Sequence, residues 1–544
     1  MKVFFYLMCG ILVLSLLSFE KSENNYLVVS SLSEKAVEGG MNILANDGSA
    51  MDAALSVALS SIAAKGGKFV SYAGILNLVY YEAATGKIYT MNASLNSVLN
   101  EDNPLTIPRV NKRINDTSFV SDYGRTILVP GFMKGVEAAH KRFGKIPFEE
   151  IFSDAISIAS EGIQWKGEDE YYFREYKDYL TRYPETKSIF TKSDGSFYKT
   201  GDVFKQPELA ETLEKISKQG ADYMYKGEWA QCFVEEAAKI GSKITLKDME
   251  NYNLTWSEPV IGNYNGYEIY MHDGGKFAST RLIETLNIAE LTGYSKNEHN
   301  TSSPESLNKL YDILLSTRYA TYNPEYFESN IDFSTSSRVR KETSKQIWEK
   351  WQLKNCKQKN STGIINTDHS SAVVAIDKQG NMVAILHTIN TYIWGQTGLF
   401  IKGVSIPDIA RFRQSQIYNT GAGRRLPDGT IPGIVMKDGK PVLGFSCIGP
   451  GLHNQSVVSL INILDYNIPI KKLSEIPAIG QFEFINDQWS LAINRENFSD
   501  SLVFNTDKQN LFFHESKSAH YGFWSCIYID NKNNKIYGTD ILNK

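Results

Sequence analysis

The sequence predicts an α+β domain built of four layers, helix, sheet, sheet and helix. Three observations predict it: a mainly helical pattern from Pro130 to about residue 355, paired strand patterns after about residue 365, and a strand hairpin near the start. No Pro/Ser-rich linker or internal repeat separates these regions, so 20–544 reads as one domain split along the sequence.

The elements follow in order. Ser33-Glu34-Lys35 opens a helix with Ala36, Val37, Met41, Ile43 and Leu44 on its apolar side, and Asn46-Asp47-Gly48 breaks it. Ser49 to Ala64 is a helix rich in small residues, including Ala53, Ala54, Ala58 and Ala63, which lets neighbours approach on several sides and makes it central. Leu76, Leu78 and Tyr80 alternate, Thr85-Gly86-Lys87 turns, and Ile88 to Thr90 returns as a hairpin. Val136, Ala138 and Ala139, then Ile151, Ala155, Ile158 and Ala159, carry helical spacing. Ser371–Ile376 and 382–389 pair around Asp377–Asn381. Residues 434–436 and 442–444 form a second hairpin, and 526–529 and 535–537 a third.

Composition narrows the function classes. A net charge of -4 over 544 residues supplies no basic face for nucleic acid, and 42% hydrophobic residues are ample for a large core. Val3 to Phe19 is uncharged and apolar, so 1–19 reads as a signal peptide or a signal anchor, placing the remainder outside the cytoplasm as a secreted or membrane-anchored ectodomain. Sequons at Asn92, Asn115, Asn253, Asn300, Asn360, Asn454 and Asn497 are compatible with that route and with glycosylation. Cys232, Cys356, Cys447 and Cys526 are widely spaced, which leaves one or two disulfides and free buried thiols both open.

Several chemistries are excluded. Gly66-Gly67-Lys68 and Gly274-Gly275-Lys276 lack the upstream glycine and following hydroxyl of a phosphate loop, and neither HExxH nor GxSxG occurs. Thr367-Asp368-His369-Ser370 has the letters of a serine triad, but triad members converge from distant positions. The stretch from Asn366 to Asn381, continued to His387-Thr388-Ile389-Asn390, is more informative. It sets a hydroxyl at the mouth of a buried strand and a second on the returning strand. An enzyme that cuts its own chain before a hydroxyl residue, and then uses the freed α-amine as base, needs this arrangement.

These residues resemble the gamma-glutamyltranspeptidase family, whose second subunit opens with Thr-Thr-His-x-Ser-Val-Val-Asp-x-x-Gly-Asn and continues to Tyr-Thr-Leu-Asn. Similar segments occur in the family's order. They are Glu38 to Ala58, Leu78 to Tyr81 with Thr85-Gly86-Lys87, Val129-Pro130-Gly131 to Gly144, Tyr267 to Glu290, and Val435 to Asp465. The resemblance implies the four-layer αββα sandwich of N-terminal-nucleophile hydrolases and cleavage of a gamma-glutamyl or related small amide through an acyl-enzyme. It also implies a small-molecule amide or peptide substrate, no cofactor or metal, and self-cleavage into subunits 20–369 and 370–544.

Carried across without a gap, the resemblance makes Ser370 the nucleophile, with Thr388 and Asn390 orienting it; a rival register with an insertion makes it Thr367. A gap of an odd number of residues would turn a short strand's side chains to the wrong face, which favours Ser370. The glycine loop of the oxyanion hole resembles Gly449-Pro450-Gly451. Other family residues are replaced. Ser94 stands where an arginine holds the substrate carboxylate, Lys402–Pro407 replaces the acid and amide that meet the amine, and Asp428-Gly429 replaces a serine pair. A free gamma-glutamyl group is then well recognised only if Lys402, Arg424 or Arg425 substitutes for the missing cation, and all three read first as surface or structural residues. A catalytically inactive homologue serving as a binding or structural protein is the alternative these losses leave open.

Overall fold

The computed structural model describes residues 20–22, 25–109, 122–274, 277–327, 330–353, 370–485, 488–495, 498, 511–514, 521–533 and 535–541. The leader, Cys356 and the sequons Asn115, Asn360 and Asn497 lie outside them.

Two antiparallel sheets form the middle of the molecule. The first has six strands, in the order Leu27–Ser30, Ser371–Ile376, Met382–Thr388, Ile75–Glu82, Lys87–Ala93 and Thr255–Ser257. The second has seven, in the order Glu20–Ser22, Lys535–Ile541, Phe523–Asp530, Lys440–Ile448, Gly433–Lys437, Tyr267–Met271 and Val260–Tyr264. Side-chain alternation divides each central strand between two environments. Val373, Ala375, Val383 and Ile385 pack with the helices of the N-terminal half. Val374, Ile376, Met382 and Ala384 meet Ile434, Met436 and Ile527 of the second sheet. Strands buried on both faces read as unbroken apolar runs, which is why Ser371–Ile376 and Met382–Thr388 are buried at every position.

Helices Glu34–Ala45 and Ala50–Ala64 start at Ser33 and Ser49, whose side chains accept from backbone N–H groups of the first turn. The second is buried from Ala50 to Ala63, as its small residues require of a helix covered by both sheet and helices. On the far side, Phe277–Leu291, Pro304–Tyr322, Lys341–Leu353 and Leu452–Leu464 cover the seven-stranded sheet and share its second core. The hairpin Ile479–Ile485/Gln488–Asn494 adds a small third sheet to that core. The layers are therefore helix, sheet, sheet and helix.

Among the described residues Cys232 and Cys447 are free thiols. Asn92, Asn300 and Asn454 are buried, so only Asn253 of the described sequons offers its side chain to a glycan. No described helix is long and apolar enough to cross a membrane.

Candidate active site

One turn holds the site in register. Asp377 Oδ1 accepts from the N–H groups of Gln379 and Asn381, both at 3.0 Å, while Oδ2 accepts from Asn381 Nδ2 at 2.9 Å and from Ala50 N at 3.0 Å. A single carboxylate thus closes the hairpin and ties it to the start of the central helix. The hairpin is free of bulges from Ile376 opposite Met382 to Ser371 opposite His387. The next pair outward is Ser370 opposite Thr388, and Ser370 Oγ donates to Thr388 Oγ1 at 2.9 Å. Both are buried, 6% and 1% exposed. They face the second sheet, because Ala372 and Leu386, two residues inward on each strand, pack against Ile448 and Phe523.

Thr388 also accepts from Asn390 N at 3.0 Å. Asn390 has φ of 52°, a left-handed conformation that Asn tolerates better than most side chains, and its Nδ2 donates to Asp428 Oδ2 at 2.7 Å. Asp428 is 3% exposed and accepts from Thr430 N at 2.8 Å. Asn77 reaches Asp428 Oδ1 at 3.4 Å, Thr430 Oγ1 at 2.9 Å and Ser94 Oγ at 2.8 Å. Ser370, Thr388, Asn390, Asp428, Asn77 and Ser94 therefore form one buried chain of hydrogen bonds. Gly449 and Gly451 adjoin it through Ile448, which packs on Ala372. Gly449 has φ of 88° and a Cβ there would lie 2.6 Å from Tyr521 O, so the turn requires glycine. Gly451 precedes helix Leu452–Leu464, placing that helix's positive end at the loop. Gly131 explains the Val-Pro-Gly segment in the same way, since a Cβ would meet Ala93 O, next to Ser94, at 2.1 Å.

None of the three substitute cations reaches this chain of bonds. Lys402 pairs with the exposed Glu228 at 2.9 Å, the surface role its sequence reading favours. Arg424 is exposed. Arg425 comes nearer, but its guanidinium is already bonded to Asn96, Asn92, Tyr252 and Asn253. The basic groups that Asp428 influences are His272 and Arg413. Burial pushes the His272 pKa down to about 4 and holds Arg413 below its usual range, with Asp428 opposing both shifts. His272 is neutral with its proton on Nε2, because Nε2 lies 3.1 Å from the carbonyl of Met91 and Nδ1 accepts from Gly274 N at 2.9 Å. Sequence reasoning missed Asn77, His272 and Arg413. An isolated Asn in an apolar strand was the one available signal, since a buried amide must find partners. Thr367 lies outside the described residues.

A buried hydroxyl at the entry of a central strand, bonded to a second hydroxyl across a bulge-free pair, here sits in the helix-sheet-sheet-helix fold of the N-terminal-nucleophile hydrolases. The pattern of the gamma-glutamyltranspeptidase family matches residues 36–538, and the chain belongs to that family. It is similar to scoloptoxin SSD14 of Scolopendra dehaani, with 27% identity over 80% of this chain and 77% of the relative. It is also similar to the capsule biosynthesis protein CapD proenzyme of Bacillus anthracis, with 28% identity over 76% and 71%. The glutathione hydrolase proenzyme of Escherichia coli is 22% identical over 83% and 80%. Among solved structures, a cephalosporin acylase from Bacillus halodurans shares the fold, with a TM-score of 0.75 and 17% identity over 97% of this chain and 95% of that one.

Proposed function

We propose that the protein is a self-processing hydrolase and acyltransferase that cleaves a gamma-glutamyl, glutathione-like amide or a related small amide, with Ser370 as nucleophile. The observation that carries this reading is the Ser370 hydroxyl, buried at a strand mouth and donating at 2.9 Å to Thr388. Relatives named as glutathione hydrolase and CapD proenzymes support both the reaction class and the processing.

In the precursor, Ser370 Oγ attacks the carbonyl of residue 369, the peptide bond becomes an ester, and water hydrolyses it. The products are 20–369 and 370–544, the second with a free α-amine. In turnover that amine takes the proton from Oγ as Oγ attacks the substrate amide, then delivers it to the departing amine. Thr388 and Asn390 orient Oγ, while N–H groups of the Gly449–Gly451 loop meet the oxyanion; Pro450 supplies none. Water or an acceptor amine releases the acyl group from Oγ. Ser94 meets the substrate on this reading. On this reading 1–19 is a leader that sends the chain out of the cytoplasm, and Asn253 is the sequon open to a glycan.

Terminal sequencing of the purified protein tests the proposal. A new N-terminus at Ser370, lost in Ser370→Ala and kept in Thr367→Ala, is the expected result. Cleavage blocked by Thr367→Ala alone moves the nucleophile to the rival register, and an uncut parent chain overturns self-processing.

A further inference from the structure

The outer helical layer buries more positive charge than it neutralises. Arg281, Arg318 and Arg338 are 7%, 3% and 5% exposed, and come from helices Phe277–Leu291, Pro304–Tyr322 and Thr335–Arg338. Glu284 is the one carboxylate hydrogen-bonded to any of the three among the described residues. It is fully taken by Arg338, whose Nε donates to Oε1 at 2.8 Å and whose Nη2 donates to Oε2 at 2.5 Å. Arg281 has a single long bond, from Nη2 to the carbonyl of Leu314 at 3.4 Å, and its Nε has no partner. Arg318 lies 4.0 Å over the Trp489 ring and 5.2 Å from the Tyr322 ring, and its Nε is also unpartnered. Rings neutralise no charge. A guanidinium taken out of water without an anion is strongly disfavoured, and Arg318 lies near enough to Arg281 to disfavour its charge further, beyond what Glu284 offsets, so the pair requires a counter-charge.

A fourth element completes the junction. His453, in the first turn of Leu452–Leu464, lies 3.3 Å from Thr285 Oγ1, which in turn is 2.9 Å from Thr317 Oγ1. Burial, together with Arg281, Arg338 and Arg318, pushes the His453 pKa down, so this imidazole brings no charge of its own. Hydroxyls and unpaired guanidinium donors therefore meet at the first turn of the helix that follows Gly451.

We infer that this junction is an oxyanion-binding site, in which a carboxylate or phosphate bridges Arg281 and Arg318. Planar guanidinium forks suit the geometry of either group. The bound anion fixes the first turn of Leu452–Leu464 and, through it, the glycine loop. The inference does not depend on which residue is the nucleophile.

The test is thermal melting of the full chain, titrated separately with inorganic phosphate and with glutarate against chloride at equal ionic strength. A saturable rise of about 2–5 °C at a hundredfold excess over the dissociation constant is expected, and it is lost in Arg318→Met. A phosphate-specific rise assigns a free anion, whereas a glutarate-specific rise assigns the carboxylate of a substrate-like molecule. Should Arg318→Met fail to fold, Arg281→Met carries the same comparison. Melting that follows ionic strength alone, equal in all three anions, overturns the site, as does an unchanged anion response in the variants.

Discussion

Thr388→Val removes one oxygen from the site while keeping the shape of the side chain. Two donors then lose their acceptor, the buried Ser370 Oγ at 2.9 Å and the part-buried Asn390 N at 3.0 Å. The serine hydroxyl can rotate to another acceptor, but the Asn390 N–H is fixed by the backbone. Each neutral bond contributes roughly 1 kcal/mol, and a stranded buried N–H costs a further ~1–3 kcal/mol, so the variant should lose about 2–4 kcal/mol of stability. Processing loses the oriented hydroxyl as well. If about 1.4–2.8 kcal/mol of the loss falls on the transition state, the rate drops roughly ten- to a hundredfold. A time course of purified precursor by intact mass, beside a urea midpoint for the same sample, separates the two effects. A lowered midpoint with processing at the parental rate refutes the orienting role and leaves Thr388 as a structural hydroxyl.

Two further predictions concern stability. His272 and His387 are held neutral by burial, at pKa values of about 4 and about 3. Because their folded values lie below the unfolded one near 6.5, the unfolded chain binds more protons as pH falls. Unfolding free energy should therefore drop by up to about 1.4 kcal/mol per pH unit for each histidine below pH ~6.5 and level off near the folded values. Urea midpoints between pH 7 and 4 read this, and a His387→Phe chain with an equally steep decline contradicts it. Lys68, 2% exposed, is paired with Asp169, and burial pushes its pKa down against that partner's pull. Lys68→Met should cost about 3–5 kcal/mol by stranding the carboxylate, with much of it regained on adding Asp169→Asn; a double variant no better than the single one argues against the pair.

The fold was legible where local chemistry and packing agree. Ser33 and Ser49 as helix starts, the alternating Leu76, Leu78 and Tyr80, and the Asp377–Asn381 turn each carry their signal within a few residues. The hairpin at Ile479–Ile485 escaped because Gln481 and Glu483 interrupt an apolar run without marking a turn. At the site, the strand pairing was legible: an uninterrupted hairpin sets Ser370 opposite Thr388. Pocket chemistry was not. Asn77 and Asp428 meet across 351 residues of sequence, and nothing local to either announces the other. Lys402 was legible as a surface or structural lysine, but not its partner Glu228, which belongs to a helix distant along the chain.

On the proposed function, Asp428 changes which substrate the site accepts. The resemblance expects neutral hydroxyls where this chain carries a carboxylate, 2.7 Å from Asn390 and hydrogen-bonded through it toward the nucleophile. Two like charges about 4 Å apart repel by about 1–4 kcal/mol for effective dielectric constants between bulk water and a protein surface, and Arg413 offsets part of this. A donor that brings a free carboxylate to Asp428 should thus be disfavoured, and one that brings an ammonium or amide favoured. The comparison is between γ-glutamyl anilide and its α-methyl ester, which differ in that charge and one methyl group. The ester should have a kcat/KM at least about tenfold higher, consistent with ~1.4 kcal/mol of relieved repulsion, and Asp428→Asn should narrow the ratio. If the free acid is preferred by the parent chain and the preference survives Asp428→Asn, the carboxylate is read elsewhere and Asp428 serves only to hold Asn390.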